Sequence, residues 1–172
     1  MDKIFETKRL YARKLTKDDW NNLSDILQDE QAMYAYEHAF SDEEVTDWLN
    51  RQLKRYEDDG IGLWALIDKK TGKFVGQAGL TKQNSPIGTE FEIGYLLKRS
   101  EWHKGYATEA AIACKEYAFT TLGLDRVVSF IRDNNYSSQA VAKRVGLTKQ
   151  NEFTINYYNV TMPHYVYVIE KD

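Results

Sequence analysis

RSEWHKGYATEAA, residues Arg99 to Ala111, sits between two segments of opposite periodicity. Before it, Glu92-Ile93-Gly94-Tyr95-Leu96-Leu97 is an apolar run of strand length, and after it the alanine-rich stretch 107–122 has the pattern of a helix. A strand, a basic turn and a helix start leave backbone N–H groups unpaired where the helix dipole favours negative charge. The turn therefore predicts an anion site, for a phosphate above all. Gly105 lets the main chain approach an anion without a Cβ in the way. Lys104 and Arg99 add positive charge, and the Thr108 hydroxyl adds a donor. The plainer alternative is a helix start that binds nothing.

The rest of the composition narrows the classes. With 172 residues, 42% of them hydrophobic, the chain suffices for one core, so a single domain spanning 1–172 is expected. A net charge of −3, with no massed Lys and Arg, argues against nucleic-acid binding and suits a cationic acceptor better than an anionic one. The single cysteine, Cys114, falls at helical spacing with Ala107, Ala110, Ala111 and Ala118, which reads as a buried structural thiol. His38 and His164 lack ligand spacing, so no metal is expected. No apolar run reaches membrane-spanning length and the first residues do not form a signal peptide, so the expected setting is cytoplasmic, without a membrane partner.

Residues 4–15 alternate loosely and predict an opening strand. Thr16 with Asp19, and Ser41 with Glu44, start helices over about 17–28 and from 42 to the stop at Gly60. Between them, 33–40 is aromatic-rich without a period, either a cover over the core or part of an acceptor pocket that would use Tyr34 and Tyr36. Strands 61–67 and 74–80 form a hairpin, with Gly76 and Gly79 marking a close backbone approach or a bulge. A loop over 82–88 then leads into the strand at 92–97. Further on come a strand at 127–131, a short helix closed by Gly146, and a terminal hairpin over 148–170 turning around 159–161.

The text W-H-K-G-Y-A-T-E-A resembles the acyl-CoA pyrophosphate loop of the GNAT N-acetyltransferases, in the branch of the ribosomal-protein N-terminal acetyltransferases. Trp102 stands where the wider pattern has Gln or Arg, Gly105 and Ala107 hold the small positions, and His103 replaces a frequent glycine. Glu6 to Arg13 resembles the usual start of this branch. Asn135-x-x-Ser138, with Gly146-Leu147 after it, resembles a second family signature. The resemblance covers nearly the whole chain. It implies an α/β GNAT acyl-CoA N-acyltransferase fold, a mixed and mostly antiparallel sheet flanked by helices on both faces, with acetyl-CoA as cosubstrate. By matching, Ile93, Tyr95, Leu97, Arg99, His103, Lys104, Gly105, Tyr106, Ala107, Thr108, Asn135 and Ser138 would hold it.

Transfer to an amine needs an unprotonated nucleophile, a fixed geometry and a proton for the leaving thiolate, and no covalent enzyme intermediate. Glu90 and Glu92 are two apart in a strand, on one face and roughly 7 Å apart, so each would raise the other's pKa. Relatives place a carboxylate at Glu92, making it the expected base, with Glu90 on the acceptor side. The tyrosine that many family members use as acid is here Ala142, and Ser138 takes that role by resemblance, unless it only caps the helix. The activity implied is acetyl transfer to a primary amine, a protein N-terminus or a small amine such as a polyamine, amino acid or aminoglycoside. A non-catalytic acyl-CoA sensor is the rival reading. Monomer and homodimer both stay open.

Overall fold

The computed structural model describes residues 2–36, 38–157 and 160–172. Its strands are β1 (Lys3–Glu6), β2 (Leu10–Arg13), β3 (Leu63–Asp68), β4 (Phe74–Ser85), β5 (Gly88–Leu97), β6 (Arg126–Arg132), β7 (Thr148–Tyr157) and β8 (Val160–Glu170). They form one sheet in the order β1-β2-β3-β4-β5-β6-β8-β7. Every neighbouring pair is antiparallel except β5 and β6, which run parallel and share one registered pair, Glu92 with Val128. The sheet opens at that point.

Four helices cover the sheet: α1 (Trp20–Leu27), α2 (Asp42–Asp59), α3 (Tyr106–Glu116) and α4 (Tyr136–Val145). Neighbouring strand residues point to opposite faces. Trp64 meets Tyr117, just past α3, while Gln77, opposite Ala65, accepts from Trp48 of α2, so helices lie on both faces. Trp64, Leu10, Leu23, Leu66 and Leu80 are fully buried, each worth on the order of 1.5–3 kcal/mol over an exposed position.

The capping boxes form as the sequence predicts. Thr16 and Asp19 start a 3₁₀ turn that runs into α1, and Ser41 and Glu44 start α2, which Gly60 ends. A Cβ on Gly79 would lie 2.0 Å from the Gly62 carbonyl oxygen and one on Gly76 2.6 Å from that of Leu96, which accounts for both glycines as close approaches.

Three boundaries differ. The opening strand is two, because the Thr7 N–H donates to the Leu10 carbonyl and the Leu10 N–H to the Thr7 hydroxyl, turning the chain into a hairpin. The loop expected over 82–88 is mostly strand: β4 continues to Ser85, which pairs with Gly88 across a two-residue turn. Polar residues there line an arm that reaches beyond the core. The helix expected to 122 leaves α-geometry at Tyr117 for a π turn through Thr121. Of the turn placed around 159–161, Asn159 lies outside the described residues, and Val160 and Thr161 open β8.

Candidate active site

Two cavities meet where β5 and β6 part. The first, about 570 Å³, lies between the end of β5 and the starts of α3 and α4. The second, about 660 Å³, lies between α2, the opened edge of β5 and the β6–β8 wall. Tyr95, Leu96, Asn135 and Ser138 line both.

The first cavity is built chiefly from main chain. After β5 a 3₁₀ turn (Arg99–Glu101) leads to His103 at φ 63° and Gly105 at φ 82°, and α3 starts with no side chain capping it. Its first N–H groups are thus left for another acceptor. A non-glycine residue with positive φ is unusual, though histidine tolerates it better than most. Trp102 closes the turn by donating its indole N–H to the Leu97 carbonyl at 3.1 Å. A clamp fixes α3 from the other side: Glu109 accepts from the Arg9 N–H at 3.0 Å, from the Arg9 side chain at 2.8 Å and from the Thr7 hydroxyl.

Most residues predicted for the acyl donor border this cavity: Tyr95 and Leu97 on β5, His103, Gly105, Tyr106, Ala107 and Thr108 on the turn, and Asn135 and Ser138 at the start of α4. The Tyr106 side chain itself turns away, its hydroxyl on Asp68 at 2.9 Å. Ile93 borders the second cavity instead. The two predicted cations do not border the first cavity, because each is held by an acid: Lys104 by Glu101 at 2.8 Å and Arg99 by Asp29 at 3.1 Å. The cation that does border it is Arg144, at the end of α4, which makes no ion pair among the described residues. A basic residue in a helix's last turn reads as a dipole partner, so sequence alone gave it no other role.

Glu92 lines the second cavity and accepts a hydrogen bond from the Phe130 N–H at 2.9 Å, spanning the opening between the strands. Burial pushes its carboxyl up to about 7, against the Phe130 hydrogen bond and the Arg55 charge. The expected cause, the charge of Glu90, is not the source. Glu90 borders neither cavity, and its carboxylate sits 3.1 Å from the Arg126 side chain.

At the shared wall the Ser138 hydroxyl donates to the Tyr95 hydroxyl at 3.0 Å, and the Tyr95 hydroxyl donates to the Ser138 carbonyl at 3.0 Å. Burial raises the Tyr95 phenol to about 12, which keeps its proton in place at neutral pH. Ser138 is not the helix cap. Asn135 is, accepting from the Ser138 N–H at 3.3 Å, and its side chain also takes the Tyr34 hydroxyl at 2.7 Å. Tyr34 thus borders the first cavity and Tyr36 the second, so segment 33–40 is both cover and wall. Ala142 is buried and offers no proton. Sequence reasoning missed the α2 residues Asp47, Trp48 and Arg51 and the wall residues Arg132, Phe153 and His164. In the sequence they read as a helix surface and as alternating strand positions.

A mixed sheet that opens between two parallel strands, with an uncapped helix start at one end and a buried carboxyl at the other, is the arrangement that the comparisons with known proteins identify. The acetyltransferase (GNAT) domain family matches residues 9–148. YkkB of Bacillus subtilis (strain 168), an uncharacterized protein, is 32% identical over 142 residues, 82% of this chain and 83% of its own length. The solved GNAT-family acetyltransferase from Bacillus anthracis superposes with a TM-score of 0.82 at 25% identity, covering 96% of each chain. RimL, a ribosomal α-N-protein acetyltransferase solved in complex with coenzyme A, shares the fold with a TM-score of 0.80 at 17% identity, over 98% of each chain. The chain belongs to the GNAT acetyltransferase family and is an acyltransferase by that membership.

Proposed function

We propose that the chain transfers the acetyl group of acetyl-CoA to a primary amine by direct attack, with the donor in the first cavity and the amine in the second. The observation that carries this is the wall the cavities share, Tyr95, Leu96, Asn135 and Ser138, because only there do a donor and an acceptor come within reacting distance. The residues fit the donor. The N–H groups at the start of α3 and Arg144 face a pyrophosphate, Gly105 leaves the approach open, and the β6-facing edge of β5 offers main-chain partners to an extended pantetheine.

Bound acetyl-CoA supplies the thioester carbonyl. Glu92, directly or through one water, accepts the proton that the amine loses as its nitrogen forms the new C–N bond. The C–S bond breaks, and the departing thiolate takes a proton from the Tyr95–Ser138 pair, which bulk water restores. A protein N-terminal amino group and a small amine both satisfy this chemistry.

The test is free-thiol release from acetyl-CoA against peptide N-termini, polyamines, amino acids and aminoglycosides. Release that depends on one acceptor class, and that Glu92→Gln lowers while coenzyme A binding stays, is the expected result. Binding of acetyl-CoA with no release for any amine would overturn the reading.

A further inference from the structure

Arg132 is a partly buried ionised side chain of the second cavity that the proposed chemistry leaves unused. It ends β6, two residues beyond Phe130, whose N–H holds Glu92, so its Cα lies about 7 Å further along the same strand. It lines the cavity with Glu92. Its Nη1 donates to the Tyr34 carbonyl at 3.3 Å, its Nε is closed off from solvent with no hydrogen-bond partner, and it makes no ion pair among the described residues. A buried guanidinium N–H without an acceptor is costly and calls for one.

The other charges around the cavity do not supply it. Glu44 is committed to His38 at 2.9 Å and to the Ser41 N–H at 3.0 Å, where it completes the α2 cap. Glu92 is held by Phe130, and Asp47 and Arg51 lie exposed on α2. Across the strand pair from Arg132 stands His164, whose Nδ1 meets the Met162 carbonyl at 2.9 Å and therefore carries a proton. Burial, with the Arg132 charge adding to it and the Met162 carbonyl and the neighbouring Asp133 charge opposing it, holds that imidazole below its ordinary pKa, so it brings no counter-charge, and Asp133 itself makes no ion pair with Arg132 among the described residues. The net negative charge of the whole chain suggests a cationic acceptor, but Arg132 pairs with none of the carboxylates that line the cavity with it.

We infer that the acceptor is a primary amine bearing a carboxylate, with the amine at Glu92 and the carboxylate on Arg132. The guanidinium's planar fork suits a carboxylate, so one ligand in the cavity answers the charge that no side chain there pairs with. The ligand chemistry is shared by a free amino acid and by a peptide with Asp or Glu close behind its N-terminus. Arg132 is thus a specificity-determining residue of the transfer proposed above, and the inference rests on that reading.

The experiment compares matched acceptors with the intact protein: free amino acids, peptides with Asp or Glu at the second position, and the carboxamide counterpart of each. Thiol release gives kcat/KM, and calorimetry with coenzyme A present gives acceptor binding independently of turnover. The expected result is a preference of about tenfold to a hundredfold for acids over amides, reduced several-fold in Arg132→Lys and abolished in Arg132→Gln. The acid-to-amide ratio in the unaltered protein needs no variant, so a folding defect cannot mimic the result. Preference for free amino acids over acidic peptides, or the reverse, identifies the source of the carboxylate. Carboxylate binding that needs Arg132 without thiol release would keep this inference and overturn the transfer reading. Release that ignores the carboxylate would do the opposite. Binding and release both absent for every acid would overturn the inference.

Discussion

The two cavities are made of different material. The donor side is main chain: a turn with two residues at positive φ and a helix start that no side chain caps. The acceptor side is side chain, brought by α2, β5, β6, β7 and β8 from positions far apart in sequence. Main-chain donors recognise a phosphate without regard to what is joined to it, whereas side chains select one acceptor among many. On the function proposed above, the common cosubstrate would be held by the part of the molecule that depends least on residue identity, and the particular acceptor by the part that depends on it most.

The contrast breaks soonest at Glu92. Glu92→Gln is expected to lower kcat about 10²–10⁴-fold with coenzyme A affinity unchanged, measured by thiol release and calorimetry. In the unaltered protein kcat/KM should gain a limb rising through about pH 7 as Glu92 loses its proton, a limb the variant lacks. The stability effect has the opposite direction. The folded carboxyl titrates near 7 against an ordinary 4.5, so the folded state binds the extra proton between these values and stability falls as pH rises through that window. Glu92→Gln should therefore recover up to about 3 kcal/mol at pH 8 and nothing at pH 4, read from denaturant melts.

On the donor side, Gly105→Glu adds a like charge and forces a side chain into φ 82°, where its Cβ would stand 3.4 Å from the Arg9 guanidinium. Coenzyme A affinity should fall about a hundredfold or more by calorimetry, and unchanged affinity would move the pyrophosphate elsewhere. At the shared wall, Tyr95→Phe and Ser138→Ala should each cost about tenfold in kcat. The double variant should cost little more than either, because the two hydroxyls act as one unit. The smallest effect tests the claim about side chains on the donor side. Lys104→Ala and Arg99→Ala should each weaken coenzyme A binding less than about threefold, since both cations already serve Glu101 and Asp29, while Arg144→Ala should weaken it more.

The same division explains what the sequence discloses. The anion turn, the capping boxes at Thr16 and Ser41 and the stops at Gly60 and Gly146 are local, each fixed by a few adjacent residues, and each is legible. Glu92 is legible as a candidate, and the structure places it on a cavity, but the source of its raised pKa is not legible, because Arg126, which pairs with Glu90, lies 36 positions away. Asn135 rather than Ser138 caps α4 because the chain turns one position before Tyr136, a backbone detail that two good capping residues in one motif leave open. Trp48, Arg132 and His164 each have a sufficient local explanation, as helix face or strand alternation, and only the register of β6 with β8 and the seat of α2 bring them to one cavity. The extension of β4 to Ser85 was hidden for a related reason: an arm free of the core needs no hydrophobic face.

The bond from Phe130 to Glu92 has a practical consequence for anyone wishing to trap this protein with both substrates in place. The carboxylate is also one of the rivets across the gap between β5 and β6, on the residue that makes their one registered pair, with the Ser129 hydroxyl on the Ile93 carbonyl and Arg126 on Glu90 as others. Alanine there would pull the rivet and loosen the slot that a trapped donor must occupy, whereas glutamine keeps an oxygen in the same hole. A chemically silent but mechanically sound receptor is therefore one nitrogen atom away from the native chain.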